Sequence, residues 1–369
     1  MLYKNIEIID NAYGGYGVGV LPDGKKVFVP FAVKYDLLDI EVVEDKRSYS
    51  FGRIINLVKG SEKRENTPYC PHIGVCGGCL FGNIKYSEQI NIKKDILRYN
   101  FKDIKYFKID KIFTDSPLRY RIKCNIKFKD KKLGFYKFNS NDFVPVEDCP
   151  VISKNIVEYA RKLKENLDDF SEMDFIENNE NYVLSSVDEE KYINYETVFG
   201  EVFVSPTTFF QGNRFLLNDL LGSAVNLVTK KDILELYCGN GFFTKGLSKR
   251  CNHILAVDSD KNAIKLAKRA DIKNTKFIAY DLNKTFQIEE KFDTFFVDPA
   301  RVGLSKSVIK MILEKLPFEI VYVSCNPTTL KRDLVKLLEY YKITNFYMFD
   351  MFPNTYHVEC VTLMSKVEK

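Results

Sequence analysis

The hydrophobic and polar positions of this chain fall into three successive patterns. Over residues 2–58, apolar side chains recur at every second place in Lys4–Ile9, Gly17–Leu21, Lys26–Val29, Leu38–Val43 and Ser50–Ile55. Turn signals such as Gly14-Gly15 and Pro22-Asp23-Gly24 separate them. Alternation between turn signals predicts strands, and five short strands predict a small barrel of OB type. Next, Ile84, Ile90, Ile92, Ile96, Leu97 and Tyr99 among lysines predict a helix over 84–100. Residues 116–205 read as strands with one long helix near 151–167, and 168–196 is acidic and poor in motifs. From 206 the pattern changes again. Strand runs at 232–237, 253–257, 275–279, 292–297, 319–324, 343–349 and 360–365 alternate with helical runs at 242–250, 261–270, 306–316 and 328–341. That alternation predicts a doubly wound α/β sheet. The expected division is a barrel over 1–60, a central α+β unit over 61–205 and an α/β unit over 206–369.

Composition narrows the class. With 369 residues, 45% hydrophobic and 28% charged, the chain is expected to be soluble and globular with ample core. A net charge of +5 permits a nucleic-acid partner without demanding one. There is no run of 18 apolar residues and no basic-then-apolar leader after Met1, so a cytoplasmic protein without membrane contact is expected. Nine cysteines in such a chain point to metal or catalysis rather than disulfides.

The candidate chemistry begins at Val323-Ser324-Cys325-Asn326-Pro327. An apolar strand run ends in a cysteine and a proline then opens a helix, which puts the thiol at the carboxyl edge of the sheet, where ligands bind. A free thiol is mostly protonated at neutral pH, so a reactive one needs a positive charge or a helix N-terminus nearby. The structural alternative is a small buried residue that ends a strand. Cys70, Cys76 and Cys79 lie within ten residues, with Gly77 and Gly78 between them. That spacing is a strong metal signal, for an iron–sulfur cluster or for zinc with His72 as a further donor. Cys149, before Pro150, is the best fourth ligand, while Cys124 lies in an alternating strand and reads as structural.

Leu234-Glu235-Leu236-Tyr237-Cys238-Gly239-Asn240-Gly241 is a strand followed by a glycine turn, and Thr244 stands where a dinucleotide fingerprint has its third glycine. Glu235 fits a methyltransferase version of this turn. The next strand ends at Asp258, placed for ribose hydroxyls, and Asp298 closes the fourth in Asp298-Pro299-Ala300-Arg301, which disfavours attack by an amine nitrogen. Glu359, beside His357, is a candidate general base for a cysteine mechanism. Ser116–Arg121 is a basic turn, either a phosphate contact or a solvated edge.

Taken together these motifs resemble, nearly end to end, the RNA uracil-5-methyltransferase family, which includes ribosomal and transfer RNA m5U enzymes. Gly14–Gly17 and Val27–Pro30 resemble its N-terminal TRAM barrel, and Ser205–Asn213 resembles the segment whose glutamine, here Gln211, contacts S-adenosylmethionine. The resemblance implies a Rossmann-like methyltransferase sheet, with segment 82–113 packed against the catalytic unit. It implies a [4Fe-4S] cluster on Cys70, Cys76, Cys79 and Cys149, and a cofactor site of Gln211, Tyr237, Asp258, Asp281 and Asp298. It implies Cys325 as nucleophile and Glu359 as base. The family often has Asn where this chain has Phe242, and Glu where it has Asp258. The expected substrate is RNA, with 23S rRNA favoured over tRNA, and the expected state is a monomer. The rivals are an RNA-binding iron–sulfur protein with an inactive methyltransferase fold and a methyltransferase of small molecules or proteins.

Overall fold

The computed structural model describes residues 1–164 and 170–367. Strands β1 (Leu2–Ala12), β2 (Tyr16–Val20), β3 (Lys26–Pro30), β4 (Leu37–Asp45) and β5 (Tyr49–Lys59) close into a barrel in the order β1-β2-β3-β5-β4. Alternation does what the pattern requires. Ile8, Val27, Val29, Leu38 and Ile40 fill the interior with no exposed surface.

Helix α1 (Tyr86–Asn100) and the short strand β6 (Lys111–Phe113) follow. Strands β7 (Lys123–Lys129), β8 (Lys132–Tyr136) and β9 (Phe143–Pro145), helix α2 (Lys154–Leu163), and strands β10 (Phe170–Glu177) and β11 (Val183–Ser185) form a five-stranded antiparallel sheet covered by α2. The helix expected near 151–167 is α2, and the last three residues of that span lie outside the described residues. The sequence 168–196 was poor in motifs, yet from Phe170 it supplies two strands of this sheet and β12 (Ile193–Thr197), which pairs with β13 (Gly200–Val204).

The remaining elements are α3 (Leu217–Leu227), β14 (Asp232–Leu236), α4 (Phe242–Leu247), β15 (His253–Asp258), α5 (Lys261–Arg269), β16 (Thr275–Ala279), β17 (Thr294–Val297), α6 (Lys306–Lys315), β18 (Glu319–Ser324), α7 (Pro327–Leu337), β19 (Tyr341–Phe349) and β20 (Glu359–Lys366). Their eight-stranded sheet runs β16-β15-β14-β17-β18-β20-β19-β6. Successive β14 side chains point to opposite faces: Ile233 joins the core under α3, α4 and α5, while Leu234 and Leu236 join the core under α1, α6 and α7. Both faces are therefore covered, as a buried parallel sheet requires.

Two features of this sheet position the site. The order reverses between β14 and β17, which opens the crevice where α/β sheets bind ligands. Strand β20 runs antiparallel to β18, with Ser324 opposite Cys360. The start of β20 thus lies at the same edge as the ends of β14, β15, β17 and β18. The edge strand β6, parallel to β19, comes from the segment between the barrel and the central sheet. No described helix is long and apolar enough to cross a membrane.

Candidate active site

The first wall of the crevice is the turn after β14. Tyr237 adopts the left-handed conformation, φ 64°, and its hydroxyl accepts a hydrogen bond from the Ser305 N–H at 3.4 Å. The Asp258 carboxylate accepts from the Gly239 N–H at 2.8 Å and from the Asp260 N–H at 2.8 Å, so it braces the glycine turn. Asp281 follows β16 at the same edge. Its carboxylate accepts from Asn283, at 3.0 Å from the backbone and 2.9 Å from the side chain, and these bonds lower its pKa. Glu235 does not face the crevice. It is buried and accepts from the Thr244 hydroxyl at 2.6 Å, so the Thr in place of a third glycine is its partner. Burial raises the Glu235 pKa to about 8, with Thr244 opposing. Phe242 packs edge-on against Phe210, with centroids 5.6 Å apart, and ties the glycine turn to the segment carrying Gln211.

The second wall is chemically denser. Register carries Cys325 and Glu359 to neighbouring positions, because Ser324 and Cys360 are cross-strand partners. Their charges sense each other. Burial first, then Glu359 and Asp298, push the Cys325 thiol up to about 12, and Arg301 opposes them. Burial and then Asp298 hold the Glu359 carboxyl well above the usual carboxylate range, again with Arg301 opposing. Burial and Asp258 raise Asp298 to about 8. In the free protein the thiol is therefore protonated, although Cys325 immediately precedes the residue capping a helix. That residue is Asn326, whose side-chain oxygen accepts from the Thr328 N–H at 3.0 Å, while its amide donates to the Arg301 carbonyl at 3.0 Å. The Thr329 hydroxyl donates to the same carbonyl at 3.0 Å. The α7 N-terminus thereby fixes the residue whose guanidinium most favours the charged forms of both groups.

A cavity of about 560 Å³ opens beside this cluster, lined by Gln211, Arg301, His357, Tyr120, Arg121 and Tyr16 among others. The Arg301 guanidinium lies 3.3 Å from the His357 Nε2. Burial, then the positive charge of Arg301, lower the His357 pKa to about 3, so its ring is neutral. Lys123 steadies the segment before Gln211 by donating to the carbonyls of Ser205 at 3.0 Å and Pro206 at 2.5 Å.

Residues 176–367 match the model of the tRNA (Uracil-5-)-methyltransferase family. A relative in Aquifex aeolicus, described as an RNA methyltransferase, is 30% identical, covering 95% of this chain and 96% of its own. The chain belongs to this family. A second RNA methyltransferase, from Thermotoga maritima, is 29% identical over the whole of both chains. The crystal structure of Pyrococcus abyssi tRNA (uracil-54, C5)-methyltransferase with S-adenosyl-L-homocysteine has a similar fold. Its TM-score is 0.78 at 23% identity, covering 97% of this chain and 100% of that one. The chain is thus an S-adenosylmethionine-dependent RNA uracil-5-methyltransferase.

The methyltransferase has a second concave site. Cys70, Cys76, Cys79 and Cys149 line one cavity of about 130 Å³, with His72 and Cys124 also in its wall. These five cysteines are all free thiols. Burial, followed by Cys149 and Cys76, raises Cys79 to about 12, and burial also raises Cys76 and Cys149. Among the described residues, no group of three or more His, Cys, Asp or Glu side chains is already gathered at metal-ligand spacing. Arg119 does not serve as a free phosphate contact. Its guanidinium pairs with Asp148 and donates to the carbonyls of Cys149 at 2.9 Å and Ile152 at 3.1 Å, so the basic turn braces the Cys149 turn.

The expected site residues of the main crevice thus share one sheet edge or its adjoining cavity. Sequence reading gave no role to Arg301, and no local signal could have supplied one. Its place opposite Cys325, Glu359 and His357 depends on three separate strand ends.

Proposed function

We propose that Cys325 is the nucleophile and Glu359 the general base in methylation of uracil C5 in a structured RNA. The observation that carries this reading is the convergence of thiol, carboxyl and guanidinium at one buried edge beside a cavity with room for a base. C5 of uracil is a weak nucleophile. As RNA binds, the Cys325 thiol and the Glu359 carboxyl give up their protons to solvent, and the thiolate adds to C6, forming the S–C6 bond and moving the ring electrons toward C5 and O4. S-adenosylmethionine, when bound, supplies the methyl group that C5 takes. The Glu359 carboxylate then removes the C5 proton. The released electron pair restores the C5–C6 double bond as the C6–S bond breaks and the thiolate leaves. Arg301 favours the charged forms of both groups. We assign Gln211, Tyr237, Asp258, Asp281 and Asp298 to the cofactor.

The target base must leave its stack to reach Cys325. An aromatic row supports an RNA path to the cavity: Tyr16 lies 5.5 Å from Phe51 and 6.0 Å from Phe138, and Phe28 lies 5.9 Å from Phe51, centroid to centroid. Such rows stack unpaired bases. Cys70, Cys76, Cys79 and Cys149 would hold a [4Fe-4S] cluster, and four half-buried cysteines lining one cavity supply the thiolate donors its iron takes. The role assigned to it is structural, because methyl transfer involves no redox change. Three working units are inferred: the barrel over 1–60, the central unit over 61–205, and the catalytic unit over 206–369 joined by 82–113.

The cysteine set favours 23S rRNA as substrate. The tRNA reading has its own support, since the Pyrococcus protein is matched over its full length, barrel included. The deciding experiment uses anaerobically purified protein, tritiated S-adenosylmethionine and total RNA from a strain lacking the protein. Label in 5-methyluridine of large-subunit rRNA is expected, and label in tRNA would transfer the activity to that substrate. Label in any other nucleoside would remove the role given to Cys325.

A further inference from the structure

Three polar side chains on one face of α1 reach into the loop that carries Glu359. Tyr86, Gln89 and Lys93 are spaced three and four residues apart, which stacks them along the helix. Lys93 has no exposed surface, and neither does Asp350, the residue after β19 with which its ammonium pairs. The same ammonium donates to the Phe352 carbonyl at 3.0 Å. The Tyr86 hydroxyl donates to the second Asp350 oxygen at 2.8 Å. Gln89 grips Asn354 from both sides, donating to its side-chain oxygen at 3.0 Å and accepting from its N–H at 2.8 Å. Asn354 in turn stands in the left-handed conformation, φ 66°. The loop 350–358 therefore hangs from α1 at three successive points before it delivers His357 and Glu359.

A buried ion pair is an expensive way to stabilise a fold, because desolvation offsets most of the attraction. Apolar side chains would close the same space at lower cost. What the pair supplies is a single fixed geometry, which an apolar contact does not enforce. We propose that Lys93 is a positioning residue for the base: its clamp on Asp350 and Phe352 sets where Glu359 stands relative to Cys325. The inference rests on the base role given to Glu359 above.

The test compares wild-type protein with Lys93→Met, and with Lys93→Met/Asp350→Asn in case the single variant leaves an intolerable buried carboxylate. Two readouts are used. Hydrogen exchange followed by mass spectrometry should show faster exchange in peptides spanning 350–358 and unchanged exchange in the barrel. Tritium release from RNA carrying 5-tritiated uridine should slow about 100-fold, the scale of a misplacement near 1 Å. Affinity for S-adenosylhomocysteine should stay within about twofold. Wild-type exchange rates in 350–358 would overturn the proposal. So would tritium release that falls only in proportion to lost cofactor affinity, since that is what general loosening produces. If wild-type protein does not methylate uridine, the functional reading fails by itself, and the exchange comparison still decides whether the clamp exists.

Discussion

Cys325 and Glu359 sit in an environment that keeps both neutral when nothing is bound. Three outcomes follow at this scale. Cys325→Ala should form no covalent complex with RNA containing 5-fluorouridine, measured by mass shift, and should methylate no uridine. Glu359→Gln should still form the S–C6 bond but hold it, so methylated adduct accumulates on a denaturing gel while tritium release from C5 stops. Because Cys325 stands near 12, its thiolate fraction rises about tenfold per pH unit below that value, and trapping should steepen accordingly between about pH 7 and about pH 9. Glu235 gives a stability counterpart. Its folded pKa, about 8, lies above its unfolded value, so its contribution is full below about pH 4.5 and is lost as pH rises through about 8. The melting temperature of the ligand-free protein should therefore fall over that window, and Glu235→Gln should flatten the slope. The place of Cys325 at the sheet edge was legible from its own strand-then-proline pattern, whereas Glu359 reads locally as a loop carboxylate and comes forward only through the family resemblance. Lys93 was not legible, because a lysine followed by Lys94 on an amphipathic helix reads as solvated, and only the distant Asp350 explains its burial.

At the scale of elements, the antiparallel β20 is what brings a base to an edge otherwise made of strand ends. Helix α7 then secures the loop after β17 at its far side. Asp333, fully buried, accepts from the Leu304 N–H at 2.8 Å and the Tyr322 hydroxyl at 2.9 Å. Gly303, at φ 76°, leaves no room there: a Cβ would fall 2.5 Å from an Asp333 oxygen. Gly303→Ala should cost about 1–3 kcal/mol in chemical denaturation, the scale of a strained left-handed residue. It should also displace Arg301 and lower the trapping rate. The five barrel strands and all seven strand runs after 206 were legible from periodicity. Helix α3 was passed over although its period is present: Leu217, Leu220, Leu221, Ala224 and Val225 are buried, and Asn218, Asp219, Ser223 and Asn226 lie on the opposite face. Strand β6 has three residues, too few for any pattern, and its pairing with β19 is set by chain segments far apart in sequence.

Across the whole molecule, the barrel, the cysteine loop and the catalytic unit together wall the cavity beside Arg301 and His357. Gly15 of the barrel, at φ 86°, lies where a Cβ would come within 2.7 Å of Leu80, and Tyr13 packs edge-on against Tyr356 at 5.1 Å. Phe81 donates its N–H to the Asn354 carbonyl at 2.9 Å, which joins the cysteine loop to the loop before Glu359. If the aromatic row guides RNA, Phe51→Ala should weaken RNA binding about tenfold in a filter assay and leave cofactor affinity unchanged, since one stacked base contributes about 1–3 kcal/mol. The boundary at 206 that sequence reading drew is not a place to cut. A fragment starting there would expose the edge of β19 and leave Asp350 buried without its lysine. The clamp also has a consequence in time. Lys93 precedes Asp350 by 257 residues, so at about 5–20 residues per second its helix waits roughly 13 to 50 seconds for its partner during synthesis. Cys325 is made before the base, yet β20 must slot between β18 and β19 before either has its final neighbours. Nucleophile and base therefore reach their final positions in one step, when β20 pairs with β18 and β19.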